Sequence, residues 1–244
     1  MANKTLAAVA IAFMAAGGAL VPAVSQAQVA FNVGAVTDYR YRGISQSKLR
    51  PAVQGGVDYT AGAFYVGAWA STIKWIKDFG GDANVEIDVY GGYKGEIQKD
   101  LGFDVGVLTY QYPSNKLNPS ANTTEIYGAL TFGPATAKYS HSVSNLFGFV
   151  DSKNSGYFDL SATFDVSGFS VTPHIGYQKV SGNSDFSYTD YALTVSKDVA
   201  GFGLSAALIG TDTKSIGGIK AYASPANGKD LGKAGLVLAV KKTF

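Results

Sequence analysis

Apolar residues recur at every second position through most of this chain, and that alternation confines it to β structure. In Val29-Phe31-Val33-Ala35 the apolar side chains share one face, while Ala30-Asn32-Gly34 occupy the other. Val85-Ile87-Val89-Gly91-Tyr93 repeats the pattern against Glu86-Asp88-Tyr90-Gly92-Lys94. Further copies include Val53-Gly55-Val57-Tyr59, Phe103-Val105-Val107, Ile126-Gly128-Leu130-Phe132 and Phe202-Leu204-Ala206-Leu208. Successive side chains of a strand point to opposite faces, so each segment has one apolar side and one polar or small side. No window of comparable length carries a helical stripe.

The pattern predicts 12 strands, near 29–41, 51–60, 63–72, 84–94, 101–112, 123–132, 135–144, 156–165, 168–179, 187–197, 201–211 and 233–244. Short turns at 60–62, 95–100, 133–134, 166–168 and 198–200 alternate with longer polar connections at 42–50, 73–83, 113–122, 145–155, 180–186 and 212–232. Short periplasmic turns and long outer loops are the mark of bacterial outer-membrane barrels. With the N-terminus on the periplasmic side, every short turn falls there. A soluble barrel would turn its apolar face inward and a membrane barrel outward, a choice that period alone does not make. Width makes it, because about eight strands is already the case in which side chains fill the lumen.

Aromatic residues near strand ends, at Tyr39, Tyr41, Tyr59, Phe132, Phe169, Tyr177, Phe202 and Phe244, suit interfacial girdles. Lys242 interrupts the apolar row Leu236-Leu238-Val240-Phe244 close to one interface. The expected fold is therefore all-β: a transmembrane antiparallel up-and-down β-barrel.

Met1 to Ala27 reads as a cleaved secretory signal peptide. Lys4 is its one charge, an apolar stretch runs from Leu6 to about Leu20, and Ser25-Gln26-Ala27 fits a small-x-small cleavage site. The barrel then occupies residues 28–244, exported to the cell outer membrane. The chain has no Cys, which excludes a disulfide scaffold, Cys-ligated metals and a thiol nucleophile. A net charge of +2 without a basic stripe gives nucleic acid no landing surface.

Enzymatic activity is not expected. His141 lies in Tyr139-Ser140-His141-Ser142-Val143-Ser144-Asn145, on the outward parity. A barrel hydrolase needs a Ser nucleophile, a His base and a polar orienter together on that wall. Hydroxyls are common enough in barrels for such a neighbourhood to arise by chance. His174, the other His, reads as a solvated lumen residue beside Thr172 and Gln178. Two isolated His make a metal cluster improbable, and no cofactor is expected.

The segment Thr37-Asp38-Tyr39-Arg40-Tyr41-Arg42-Gly43-Ile44-Ser45-Gln46-Ser47 resembles the N-terminal hallmark of the TorF family of porins, formerly a conserved hypothetical family. Trp69-Ala70-Ser71, Glu86-Ile87-Asp88-Val89-Tyr90-Gly91-Gly92-Tyr93, Thr109-Tyr110-Gln111-Tyr112-Pro113 and Glu125-Ile126-Tyr127 are similar to further signatures of that family. The resemblance runs over nearly the whole chain after residue 27. It implies an outer-membrane barrel with a pore, and it supplies neither a substrate nor catalytic residues.

All three Arg of the chain, Arg40, Arg42 and Arg50, fall within one short stretch. Asp38 and Arg40 share the lumen face near the outer end of the first predicted strand, and Arg42 enters the loop. Glu86 and Asp88 begin the fourth strand and Glu125 lies early in the sixth, so these acids stand at similar height. Opposed charges across a lumen produce a transverse field, which makes Asp38, Arg40, Arg42, Glu86, Asp88 and Glu125 the candidate constriction. The alternative is that the same groups pair and plug a narrow barrel, adding rigidity with no conduction. Inward acids (Asp38, Asp58, Glu86, Asp88, Asp104, Glu125, Asp159, Asp165, Asp190) outnumber inward bases (Arg40, Lys94, Lys138, Lys241), which predicts a mild cation preference for an open pore.

The expected function is passive diffusion of small hydrophilic solutes or ions. The alternative is a closed structural or surface-interaction barrel acting through its outer loops. Expected partners are outer-membrane lipid and lipopolysaccharide, the solutes, and the barrel-insertion machinery that reads a C-terminal strand ending in Phe244. The oligomeric state is left open.

Overall fold

The computed structural model describes residues 27–244; the expected signal peptide, apart from Ala27, lies outside the described residues. Twelve strands form the wall. They are β1 (Gln28–Val36), β2 (Ala52–Ala61), β3 (Phe64–Thr72), β4 (Val85–Gln98), β5 (Leu101–Gln111) and β6 (Thr123–Phe132). β7 (Ala135–Ser142), β8 (Gly156–Ala162, continued as Phe164–Val166), β9 (Phe169–Lys179), β10 (Tyr188–Val199), β11 (Phe202–Thr211) and β12 (Gly235–Thr243) complete it.

Each strand pairs antiparallel with its neighbours in sequence, and β1 pairs with β12 to close the ring. Phe244 extends the closing seam, donating its backbone N–H to Phe31 at 2.8 Å and accepting one at 3.2 Å. Among the described residues no helix is long and apolar enough to cross a membrane; the strands cross instead.

The alternation now acquires a direction. Val29, Phe31, Val33, Val105, Val107, Ile126, Leu130, Leu193 and Leu208 stand exposed on the outer wall. Gln54, Glu86, Asp88, Asp104, Glu125, Gln178 and Asp190 are buried inside. A wall this apolar is solvated by lipid, not water, and a closed ladder is the one β arrangement lipid tolerates. Inside, small residues leave room for cross-strand rings. A Cβ on Gly67 would lie 2.5 Å from the Tyr90 ring, and one on Gly106 would lie 2.6 Å from the Tyr127 hydroxyl.

At the short-turn end, Lys242 Nζ sits 4.6 Å from the Phe202 ring centre and Lys197 Nζ 4.3 Å from that of Phe169. Lys242 thus lies along the wall over a ring, its ammonium free to reach the interface. β4 extends to Gln98, so the expected 95–100 connection shrinks to a tight turn at Lys99-Asp100, with a register shift between Glu96 and Gln98.

The first predicted strand is too long. The chain leaves the wall after Val36, and residues 37–51 turn into the barrel. Tyr39 and Tyr41 therefore do not belong to a lipid-facing girdle, and Asp38 and Arg40 do not sit on a wall strand. Alternation continues into this segment because a hairpin there also has two faces, which is why period alone overran the strand.

The outward assignment has a consequence for stability. Val107→Arg, near the middle of β5, places a charge against hydrocarbon and should lose about 2–4 kcal/mol. Urea unfolding followed by heat-modifiable gel mobility measures that loss.

Candidate functional site: the inward hairpin and the lumen

The inward segment is built around a small hairpin. Arg40–Tyr41 pairs with Ile44–Ser45 across a two-residue turn, Arg42-Gly43. Both turn residues have positive φ, +46° and +79°, which a two-residue hairpin favours. Gly43 is required twice over: a Cβ there would also fall 2.5 Å from Thr211 Cγ2 and 2.8 Å from Asp190 Cβ. The turn therefore abuts the wall at β10 and β11.

Arg42 adopts a backbone region unfavourable for a side chain, and its contacts offset that strain. Its guanidinium donates to Glu125 at 3.0 and 2.7 Å and to Gln178 Oε1 at 2.6 Å. The same group lies 4.2 Å from the Tyr157 ring centre and 4.8 Å from that of Tyr41. Tyr110 adds a hydroxyl bond to Glu125 at 3.1 Å. The hairpin from the β1–β2 connection is thereby tied to β6 and β9 across the lumen.

The base of the hairpin is equally well satisfied. Asp38 accepts from Arg40 Nε at 2.7 Å, Ser45 Oγ at 2.5 Å and Ser47 Oγ at 3.2 Å. Arg40 also donates to the carbonyls of Gly43 at 3.0 Å and Lys233 at 2.8 Å. Gln46 O accepts from the backbone of Lys74 and Trp75, Lys48 pairs with Asp78, and Tyr39 donates its hydroxyl to Glu86 Oε1 at 2.7 Å. Five elements of the outer end thus converge on this one segment.

The six residues proposed as the constriction all lie in this outer half and are all buried. Asp38 pairs with Arg40 on the same segment, and Arg42 pairs with Glu125 across the lumen. Glu86 and Asp88 differ from the rest: both are fully buried, and neither has an ion-pair partner among the described residues. Four of the six charges are therefore paired within the outer half.

The inner half of the lumen is looser. Asp58 accepts from the Tyr90 hydroxyl at 2.5 Å and Asp104 from the Tyr65 hydroxyl at 2.6 Å. Lys138 Nζ lies 3.9 Å from the Tyr127 ring centre. Asp58, Lys94, Lys138, Asp159, His174 and Lys241 are each partly exposed. His174 is not a simply solvated residue beside Thr172 and Gln178: its Nε2 lies 2.6 Å from Asp159 and its Nδ1 3.6 Å from Asp190. On the outer wall, His141 Nε2 meets Asn154 Oδ1 at 3.2 Å, while Ser140 and Ser142 are buried on the opposite face.

Tyr39, Tyr110, Tyr157 and Gln178 complete the site and were missed by sequence reasoning. Their inward parity was readable for the three on strands. Partners more than 80 positions apart, such as Arg42 and Glu125, leave no local signal.

The hairpin's anchorage is measurable. Glu125→Ala leaves Arg42 buried and unpaired and should destabilise the protein by about 3–5 kcal/mol. The double variant Arg42→Ala/Glu125→Ala should lose less than the sum of the single changes, in a double-mutant cycle read by urea unfolding.

In fold the chain is similar to the KdgM porin solved in complex with disordered oligogalacturonate, with a TM-score of 0.55, 6% identity, and coverage of 90% of this chain and 99% of that one. It is also similar to OccAB3 of Acinetobacter baumannii, with a TM-score of 0.44, 14% identity, and coverage of 93% of this chain and 66% of that one. No curated protein matches the chain. Over residues 21–244 it matches the family described as "Bacterial protein of unknown function (Gcw_chp)", and it belongs to that family.

Proposed function

We propose that the protein is an outer-membrane channel for small hydrophilic solutes or ions, with the inward hairpin setting passage through its outer half. The observation that carries this reading is the partly exposed inner lumen, lined by Asp58, Lys94, Asp159 and Lys241. A barrel serving only as a structural wall has no use for a charged, water-accessible half-channel. The sequence resemblance to TorF porins and the fold of the KdgM porin support the same reading. KdgM's oligogalacturonate complex points to hydrophilic cargo as the class to try first.

Passage requires the Arg42–Glu125 clasp to loosen, so Asp38, Arg40, Arg42, Glu86, Asp88 and Glu125 act as the gate. The excess of inward acids favours cations once it is open. The basic outer loops, with Lys214, Lys220, Lys229 and Lys233, suit a lipopolysaccharide surface. The exposed Phe244 at the end of the closing seam suits recognition by insertion machinery.

A second reading has its own observation. The outer half is closed by buried, paired charges, as expected of a barrel whose loops do the work. Single-channel conductance in planar bilayers separates the two. The channel reading expects discrete steps that grow in Arg42→Ala and change ion selectivity in Glu86→Gln. Folded wild type and Arg42→Ala that both stay silent would favour the closed barrel.

A further inference from the structure

Above the hairpin the outer loops enclose a cavity of about 520 Å³. That size falls within the range of about 300–1,000 Å³ usual for small-molecule sites. Its floor is Tyr41 and Arg42; its walls include Trp75, Tyr112, Phe147, Phe149, Phe186 and Tyr222, supplied by different loops. We propose that this cup binds a small, uncharged compound carrying an aromatic ring.

The rings are held before any ligand arrives. Trp75 and Tyr112 meet edge to face at 5.4 Å between centres and Phe186 and Tyr222 at 5.9 Å, while Phe149 and Phe186 are tilted at 4.8 Å. The Tyr222 hydroxyl donates to the Phe186 carbonyl at 2.7 Å, joining two of the loops. Preformed walls spare a ligand the entropy of ordering side chains.

Phe147 is held with φ of +46°, a region bulky residues seldom occupy. That backbone places its ring 5.6 Å from Tyr41 and 5.2 Å from Tyr110. Strain of this kind gathers where a ligand is clamped.

Charge selects the class of occupant. Among the described residues lining the cup, Arg42 and Lys116 alone are charged, and each already faces an acid. Glu125 holds Arg42, while Asp82 lies 3.1 Å from Lys116, whose charge also pulls the Asp82 carboxyl below its usual range. An ionic ligand would leave water for a cup with no net charge to offer. An aromatic ring buries apolar area against several of these ring faces at once.

The binding step is independent of conduction, so a silent channel leaves it intact and an empty cup leaves the channel reading intact. The test uses the chain's two Trp, Trp69 and Trp75. In Trp69→Phe protein purified from outer membranes, Trp75 becomes the reporting fluorophore. The probe is 4-nitrobenzyl alcohol, an uncharged ring whose nitro group quenches indole emission, with 4-nitrobenzoate as its charged counterpart.

Saturable quenching by the alcohol is expected, with binding by the benzoate roughly tenfold weaker because its charge must be desolvated. Ala223→Phe, which fills the cup without removing a wall, should abolish saturation. Phe186→Ala should raise Kd by about tenfold. Should Trp69→Phe fail to fold, the same titration of the parent chain against Ala223→Phe gives the answer. Quenching that stays linear with probe concentration, saturation unchanged in Ala223→Phe, or equal affinity for the benzoate would each overturn the proposal.

Discussion

Closure of the backbone ladder is the constraint on which everything else rests. Each wall strand has a partner on both sides, and the β1–β12 seam leaves no edge. An unpaired N–H or C=O in hydrocarbon costs several kcal/mol, so an open sheet of this composition has no stable place in a bilayer. Once the ring is closed, the parity of each residue decides whether it meets lipid or lumen. Val105 and Val107 face out, Asp104 faces in, and one position of slip would reverse all three.

Within that ring, polar groups inherit a narrow space from which bulk water is largely excluded at the outer end. Isolated charges are expensive there, and pairing is the available remedy. Asp38 with Arg40 and Arg42 with Glu125 are the result, and the rings of Tyr41 and Tyr157 take up the flat faces of the Arg42 guanidinium. The left-handed turn at Arg42-Gly43 lets the hairpin reach the wall at β10 and β11, with Gly43 fitting where any Cβ would collide. The outer half is closed by specific bonds to one segment. The aromatic cup rests on that same floor, with Tyr41 and Arg42 in its lining.

Much of this was readable residue by residue. Period-two alternation located all 12 wall strands. The errors fall where alternation continues for a different reason. Residues 37–41 keep the two-faced pattern of a strand but belong to a segment inside the barrel, so Tyr39 is in the core and Tyr41 packs against it instead of joining a girdle. Of the six charged residues singled out for the lumen, four form two buried ion pairs, Asp38 with Arg40 and Arg42 with Glu125. Their partners did not announce themselves: Gln178 reads as one polar residue among many, and Tyr110 as one aromatic among 15 Tyr and 14 Phe.

What the sequence by itself determined was the closed barrel with apolar side chains outward, because a strand's faces alternate strictly and only a closed ring satisfies the backbone in lipid. Whether the lumen stands open was decided by tertiary structure alone. That outcome depends on where the first long connection goes. A loop's path is set by contacts with remote strands: Glu125 on β6, Gln178 on β9 and Asp190 on β10 receive the hairpin. Those contacts exist only after the ring has closed and brought positions far apart in the chain within a few ångströms of one another.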